Sequence, residues 1–324
     1  MGFGVVSLLN AVFRRMFTSA GLRPASATVD ADDTTIHFWA HPSLQPSSEQ
    51  QQPPRPVVVL IHGFGPDPTW QWAAQAGPLS RHFDLVVPTL LFFGASATRA
   101  PARSDAFQAA ALAALLTGGG GASSHLPGLG AGRTLHVVGT SYDGLVAYHL
   151  ARELHRRVGK VALCDSDACK GAEDDRALAA RTGVAEVAEL LAPADTRALR
   201  RLMAVCAHRP VKYIPECLLR DMLRKYFGDK REDKIALIKG ITTGEGFQLD
   251  PLPQEVLIIW GEFDQIFPVE KAHKMKEKLG EKATVKVIPN TGHLPQQEDP
   301  KLFNQTLLDF LLHPSASNGS AAAK

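Results

Sequence analysis

The chain has 324 residues, 45% of them hydrophobic and 21% charged, with a formal net charge of +2. That is the composition of a soluble globular protein, long enough for one α/β domain with an insertion, and it excludes fibrous and intrinsically disordered classes. No basic stripe with interleaved aromatics is present, so no nucleic-acid partner is expected. The four cysteines, Cys164, Cys169, Cys206 and Cys217, have neither C-x-x-C nor zinc-ligand spacing, so no metal site is expected. With no secretory signal they read as reduced thiols of a cytoplasmic protein, and the sequons at Asn304 and Asn318 carry no meaning.

Residues 1–25 begin with "MGFGVVSLLNAVFRRMF", apolar but with Arg14 and Arg15 after the apolar run, the wrong order for a signal peptide and too short for a span. Val6 stands where a myristoylation signal needs Ser or Thr. An amphipathic helix, packed on the domain or in peripheral contact with a membrane, remains, as does a transit peptide, since no acidic residue precedes Asp30. Residues 42–56 are a polar, Pro-rich connection between two β-like runs, "TTIHFWAH" and "VVVLIH". A helical stretch with a soft break at Pro78 follows, then the strand "DLVVP", the helix "DAFQAAALAALL", and a Gly/Ala/Ser-rich flexible loop over 118–132. Next come the strand "TLHVVGTS", a helix to about Val158, and the strand "KVALCD".

This alternation predicts a mostly parallel sheet flanked by helices, over 26–166 and again over 249–313. Between them, 167–248 carries helical spacing without comparable strands, the pattern of an inserted helical cap. Its charge-rich stretch 223–234 reads as a solvated helix face. The second part of the core holds "EVLIIWGEFD", a helix, "ATVKVIP" and a last helix; 314–324 is a disordered tail.

Three features fall at the C-terminal ends of predicted strands, where open α/β sheets place their sites. The first is "HGFG", His62 to Gly65, whose glycines Gly63 and Gly65 let backbone N–H groups turn toward an oxyanion. The second is "GTSYDG": Gly139 and Ser141 fit the strand–turn–helix pattern G-x-S-x-G, but Asp143 replaces the second glycine and Gly144 follows it. A serine hydroxyl needs a base to attack, so the pattern predicts a histidine elsewhere. The third feature supplies it: Asp264 ends "VLIIWGEFD" and His293 lies in "NTGHLPQQ", giving the order Ser…Asp…His.

With these residues in place the sequence resembles the α/β-hydrolase superfamily, and more narrowly the plant serine esterases of the monoacylglycerol-lipase-like kind. The matching stretches are "AGLRP", "TTIHFW", "VVVLIHGFG", "LLFFGAS", "VVGTSYDGLVAYHLA", "KYFGDKREDKIALIKG", "VLIIWGEFDQIFP" and "TGHLPQQEDP", over about residues 20–312. The resemblance implies an α/β-hydrolase fold with a helical cap, an ester substrate and no cofactor or metal. It implies Ser141 as nucleophile, His293 as general base and Asp264 as the residue orienting it. Phe64 and Tyr142 N–H groups would form the oxyanion hole, with His62 bracing their loop. Leu202, Met203, Ile214, Met222 and Phe227 of the cap are candidates for an apolar acyl or aromatic pocket. The same spacing serves equally for core packing.

Asp143 is the main departure from the family pattern. An ionised carboxylate about 6 Å from a developing oxyanion costs roughly 3 kcal/mol at an effective dielectric of about 20, on the order of 100-fold in rate. Three readings stand: the side chain turns to solvent or caps the first helical turn, hydrolysis is weakened, or the chain is a ligand receptor on a hydrolase frame. A lyase of the hydroxynitrile type would reuse the same triad. Thr89 is a smaller departure, and Asp165 and Asp167 stand where similar chains are small and apolar, either as exposed loop acids or bordering the pocket.

Overall fold

A computed structural model describes residues 4–45, 54–118, 125–130, 132–244 and 246–314. The aliphatic runs form strands: β1 (Arg23–Thr28), β2 (Thr35–Ala40), β3 (Val57–Ile61), β4 (Asp84–Pro88), β5 (Leu135–Thr140), β6 (Val158–Cys164), β7 (Glu255–Gly261) and β8 (Ala283–Ile288). Among the described residues they make one eight-stranded sheet in the order β1-β2-β4-β3-β5-β6-β7-β8. β2 is antiparallel to both neighbours, and the other pairings are parallel. Both faces of β3, β4 and β5 are buried, as continuous apolar runs in a parallel sheet require.

The helices are α1 (Val5–Ser19), α2 (Pro68–Ser80), α3 (Asp105–Thr117), α4 (Asp143–Glu153), α5 (Ala172–Thr182), α6 (Val187–Leu191), α7 (Thr196–Cys206), α8 (Glu216–Met222), α9 (Arg231–Lys239), α10 (Glu270–Leu279), α11 (Pro295–Glu298) and α12 (Pro300–Leu312). Side chains of α3, α4 and α10 pack on one sheet face, and Phe17 of α1 with α2 and α12 on the other. α5 to α9 lie between β6 and β7 in sequence, and α5 to α8 share a separate apolar cluster, which Val6 of α1 and Ile266 complete.

Four details depart from the sequence reading. β1 was not anticipated and straddles the expected boundary at residue 25; "RPASAT" holds no large apolar side chain and is recruited by pairing all six residues to β2. α4 stops at Glu153, because Val158 already pairs with Leu135 in the sheet. Pro78 does not interrupt α2: the Ala74 carbonyl, left without its i+4 donor, accepts from Asn304 Nδ2 at 2.9 Å. Within the charged stretch 223–234, Lys234 is buried rather than solvated, and its Nζ donates to the carbonyls of Tyr226 and Asp229. Burial drives its pKa down to about 8. All four cysteines are free. Of the loop expected over 118–132, Leu126 and Leu129 are buried, while 119–124 and 131 lie outside the described residues, as do 46–53 of the Pro-rich connection and 315–324 of the tail.

Candidate active site

Ser141 sits between β5 and α4 with φ 57, a left-handed conformation that is strained for a side-chain-bearing residue. The sharp turn needs close backbone approach at two places. A Cβ at Gly139 would lie 2.2 Å from the Asp143 carbonyl oxygen, and one at Gly144 would lie 2.2 Å from Ser166 Oγ. The crowding of this turn therefore falls at 139 and 144, and residue 143 carries a buried side chain.

His293 and Asp264 arrive on loops after β8 and β7 that are docked together: Phe263 N–H donates to the Thr291 carbonyl at 2.8 Å. Glu298 of α11 accepts from the N–H groups of Gly292 (2.7 Å) and His208 (2.8 Å), tying the end of α7 to the histidine loop. Asp264 Oδ1 accepts from the N–H groups of Ile266 (2.7 Å) and Phe267 (3.0 Å), leaving Oδ2 for His293 Nδ1 at 2.8 Å. Because that carboxylate oxygen accepts, Nδ1 carries the proton and Nε2 is free to accept from Ser141 Oγ, 2.8 Å away. The Phe267 ring meets the imidazole edge-on at 5.4 Å.

On the facing loop, His62 is wholly buried, and burial pushes its pKa down to about 4. Its Nε2 accepts from Leu90 N–H at 3.0 Å, so the neutral ring's proton is on Nδ1, which donates to the Gly63 carbonyl at 3.0 Å. Gln71 of α2 grips the same residue from the other side, accepting from Gly63 N–H and donating to its carbonyl, both at 2.8 Å. Gly65 adopts φ 143, which a side chain rarely tolerates. The backbone N–H groups of Phe64 and Tyr142 find no acceptor among the described residues. The Phe64 ring lies edge-on to Tyr142 (4.9 Å) and Phe93 (5.2 Å), and it packs against the cluster of Ala188, Ala192 and Ile238 in the helical insertion, which Leu191 and Ile235 also flank.

Asp143 neither reaches solvent nor caps a helix. It is 1% exposed, and both carboxylate oxygens lack a hydrogen-bond partner. Burial, reinforced by the charge of Asp105, holds its pKa well above the usual carboxylate range and favours the uncharged acid. Asp165 and Asp167 are not exposed loop acids either, being 0% and 3% exposed. Asp167 lies 3.3 Å from Lys271 Nζ. Asp165, with φ 45 at the end of β6, accepts from Gly261 N–H at 2.8 Å. It offers an oxygen within 4.8 Å of Asp264 and His293. Burial, and next the charge of Asp264, raise its pKa well above the usual range and favour its uncharged form. These three groups are close enough to suggest metal ligands, and the His293–Asp264 hydrogen bond already joins two of them.

Sequence reasoning missed two things here. Asp165 was named, as an exposed loop acid or one bordering the pocket, but not as the neighbour of Asp264, and the apolar side chains beside Phe64 come from α6 and α9. The five cap residues expected to line a pocket pack elsewhere: Leu202, Met222 and Phe227 are buried in the core of the insertion, with Met203 and Ile214 against them.

A serine–histidine–carboxylate arrangement at the C-terminal edge of such a sheet defines a hydrolase-type α/β protein. The chain belongs to the alpha/beta hydrolase family, whose model matches residues 58–306. It is 31% identical over 268 residues to the dihydrolipoyllysine-residue acetyltransferase component of the acetoin cleaving system of Cupriavidus necator, covering 79% of this chain and 63% of that protein. A 2-hydroxy-6-oxononadienedioate/2-hydroxy-6-oxononatrienedioate hydrolase of Burkholderia vietnamiensis is 25% identical over 56% of this chain and 64% of its own length. This chain thus spans less than two thirds of the curated relatives it matches. Among solved structures, a bacterial membrane phospholipase A superimposes with a TM-score of 0.72 at 23% identity, covering 94% of this chain and 91% of that one. An esterase of Thermogutta terrifontis gives 0.65 at 24% identity, covering 90% and 98%. At those identities the likeness is one of fold.

Proposed function

We propose that the protein is a serine-dependent hydrolase of carboxylic esters with small to medium apolar acyl or aromatic portions. The observation carrying this reading is the unbroken hydrogen-bonded line from Ser141 Oγ through His293 to Asp264. Ser141 attacks the ester carbonyl as His293 Nε2 takes its proton, and Asp264 stabilises the imidazolium that forms. The oxyanion rests on the N–H groups of Phe64 and Tyr142, where a single donor is worth on the order of 10²–10³ in rate. His293 then protonates the leaving alcohol, and water releases the acyl enzyme by the reverse route. No cofactor or metal enters this scheme.

The apolar side chains around Phe64 support an apolar substrate portion, and the motifs shared with plant monoacylglycerol-lipase-like esterases support that narrower affiliation. The free cysteines fit a reducing compartment such as the cytoplasm. Asp143 is compatible with turnover as long as it keeps its proton, because a neutral acid does not oppose the oxyanion as a charge would.

Labelling by a fluorophosphonate probe and hydrolysis of p-nitrophenyl acetate and butyrate test the reading. Wild type is expected to label and turn over, and Ser141→Ala to lose labelling with a fall of about 10⁴-fold or more in kcat. Equal labelling of the two proteins, or a silent wild type, would sink it.

A further inference from the structure

We propose that α1 is an interfacial anchor that docks this protein on an anionic phospholipid bilayer through the stripe Val5, Leu8, Val12 and Met16. The proposal extends the hydrolase reading only in where the ester is met, and its binding test needs no turnover.

α1 has two apolar sides with different fates. One is seated: Val6 and Phe17 are fully buried, Phe13 meets the Trp70 ring edge-on at 5.0 Å, and Asn10 Oδ1 accepts from both Trp70 Nε1 and Tyr226 Oη. The other faces solvent: Val5, Leu8, Val12 and Met16, at helical spacing, are 53%, 65%, 47% and 40% exposed. Single exposed aliphatics are ordinary, but these are four of the nine large hydrophobics exposed among the described residues, aligned on one helix. The stripe therefore has no packing role in this fold.

Its surroundings favour lipid over protein. Arg14 and Arg15 are exposed on the same helix, and no acidic residue precedes Asp30 in the chain. Four side chains on one convex helix fall far short of the ~20–30 residues a side of a specific protein interface. They suit the headgroup boundary, where a narrow apolar stripe sinks in and basic residues meet anionic lipid. No helix among the described residues is long and apolar enough to cross a membrane, so the contact is one of lying on the surface.

The seat of α1 also joins it to the site. Trp70, which donates to Asn10, is followed by Gln71, the residue that grips Gly63 of the oxyanion loop. Tyr226, which also donates to Asn10, belongs to the insertion. Docking through α1 thus places the seam between α2 and the insertion at the membrane.

The test is sedimentation of the full chain with phosphatidylcholine vesicles, with and without phosphatidylserine, alongside Leu8→Glu/Val12→Glu and Arg15→Glu. Both variants alter exposed positions, and far-UV circular dichroism with melting temperatures matching wild type checks that they stay folded. Expected are binding to the anionic vesicles, a loss of about tenfold or more in partitioning for the double variant, and a smaller loss for Arg15→Glu. Ser141→Ala should bind like wild type, so a failed hydrolase reading leaves this result standing. Absence of vesicle binding by wild type, or equal binding by the double variant, overturns the proposal. So does a wild-type dimer in sedimentation equilibrium that the double variant abolishes, since a second copy would then cover the stripe.

Discussion

Two buried carboxyl pairs flank Ser141, and they differ in how their second member is held. Behind His293, Asp264 is a well-satisfied carboxylate, with two backbone N–H groups and the imidazole as donors, and its companion Asp165 has one oxygen held by Gly261 N–H. At the seam of α3 and α4, Asp105 accepts from the Thr242 N–H (3.1 Å) and hydroxyl (2.7 Å), with His149 at 3.3 Å, and its companion Asp143 has no partner at all. Burial works to raise Asp105, yet hydrogen bonds from His149 and Thr242 hold its pKa below the usual value. In each pair one acid is well hydrogen-bonded, and in each burial and the neighbouring carboxylate drive the companion toward its neutral form. The first companion has a hydrogen-bonding role beside the reacting groups, whereas the second is a destabilising residue that the fold tolerates.

The sharpest break of this comparison is removal of the charge that is used. Asp264→Asn should lower kcat on p-nitrophenyl butyrate by on the order of 10³–10⁴, by favouring the wrong imidazole tautomer. Asp165 lies close enough to serve as a substitute acid, so Asp165→Asn/Asp264→Asn should fall further than Asp264→Asn alone. Equal activity of the single and double variants would show that Asp165 gives His293 no electrostatic support.

Asp143 should act through pH. Its raised pKa keeps it neutral at low pH, and as pH rises through that value a charge develops on the residue next to Tyr142, whose N–H is an expected oxyanion donor. Wild-type kcat/KM is therefore expected to fall on the alkaline side by up to about 100-fold, and Asp143→Gly to remove that fall. Stability follows the same sign. A carboxyl whose folded pKa is raised contributes fully below its unfolded pKa, and that contribution is lost as pH rises through the folded value. Asp143→Gly should thus stabilise by about 1–3 kcal/mol at pH 8, with a smaller gain at pH 4. Parallel alkaline limbs in the two proteins, with equal melting temperatures, would return Asp143 to an indifferent position.

The sequence made the strands and the meeting of Ser141, Asp264 and His293 legible for a physical reason. Parallel strands announce themselves as fully apolar runs, and a site at strand ends is then located by the next few residues. β1 was not legible because its six residues form a strand by pairing with β2, not by burying side chains. The fate of Asp143 was illegible because the turn could seat a side chain inward as easily as outward, and only the packing of α3 on α4 decides. The pairing of Asp165 with Asp264 was not legible because its neighbours Gly261 and Asp264 come from β7 and the loop after it, and a string of letters does not show that β6 lies beside β7. The apolar surroundings of Phe64 failed in the same way, since helical spacing in α7 and α8 marks a core side without saying what it faces.

The smallest effect, and the finest test of the two pairs, belongs to Asp165 alone. If its role is to accept from Gly261 and present a proton near Asp264, Asp165→Asn keeps both functions, because an amide has one oxygen to accept and an N–H₂ to donate. Near neutrality kcat should then change by no more than about fivefold, roughly 1 kcal/mol. The difference should appear with rising pH. Asp165 has a raised folded pKa, so its stabilising contribution is complete below its unfolded value and disappears as pH climbs through the raised one, whereas the amide cannot ionise. Melting temperatures followed from pH 6 to 10 should therefore diverge, with wild type falling below Asp165→Asn on the alkaline side. Asp165→Leu separates geometry from charge: it cannot ionise either, but it strands the Gly261 N–H and should cost about 1–3 kcal/mol at every pH. Wild type and Asp165→Asn melting together across the range would mean that Asp165 does not change its ionisation between pH 6 and 10, and the expected alkaline divergence would be refuted.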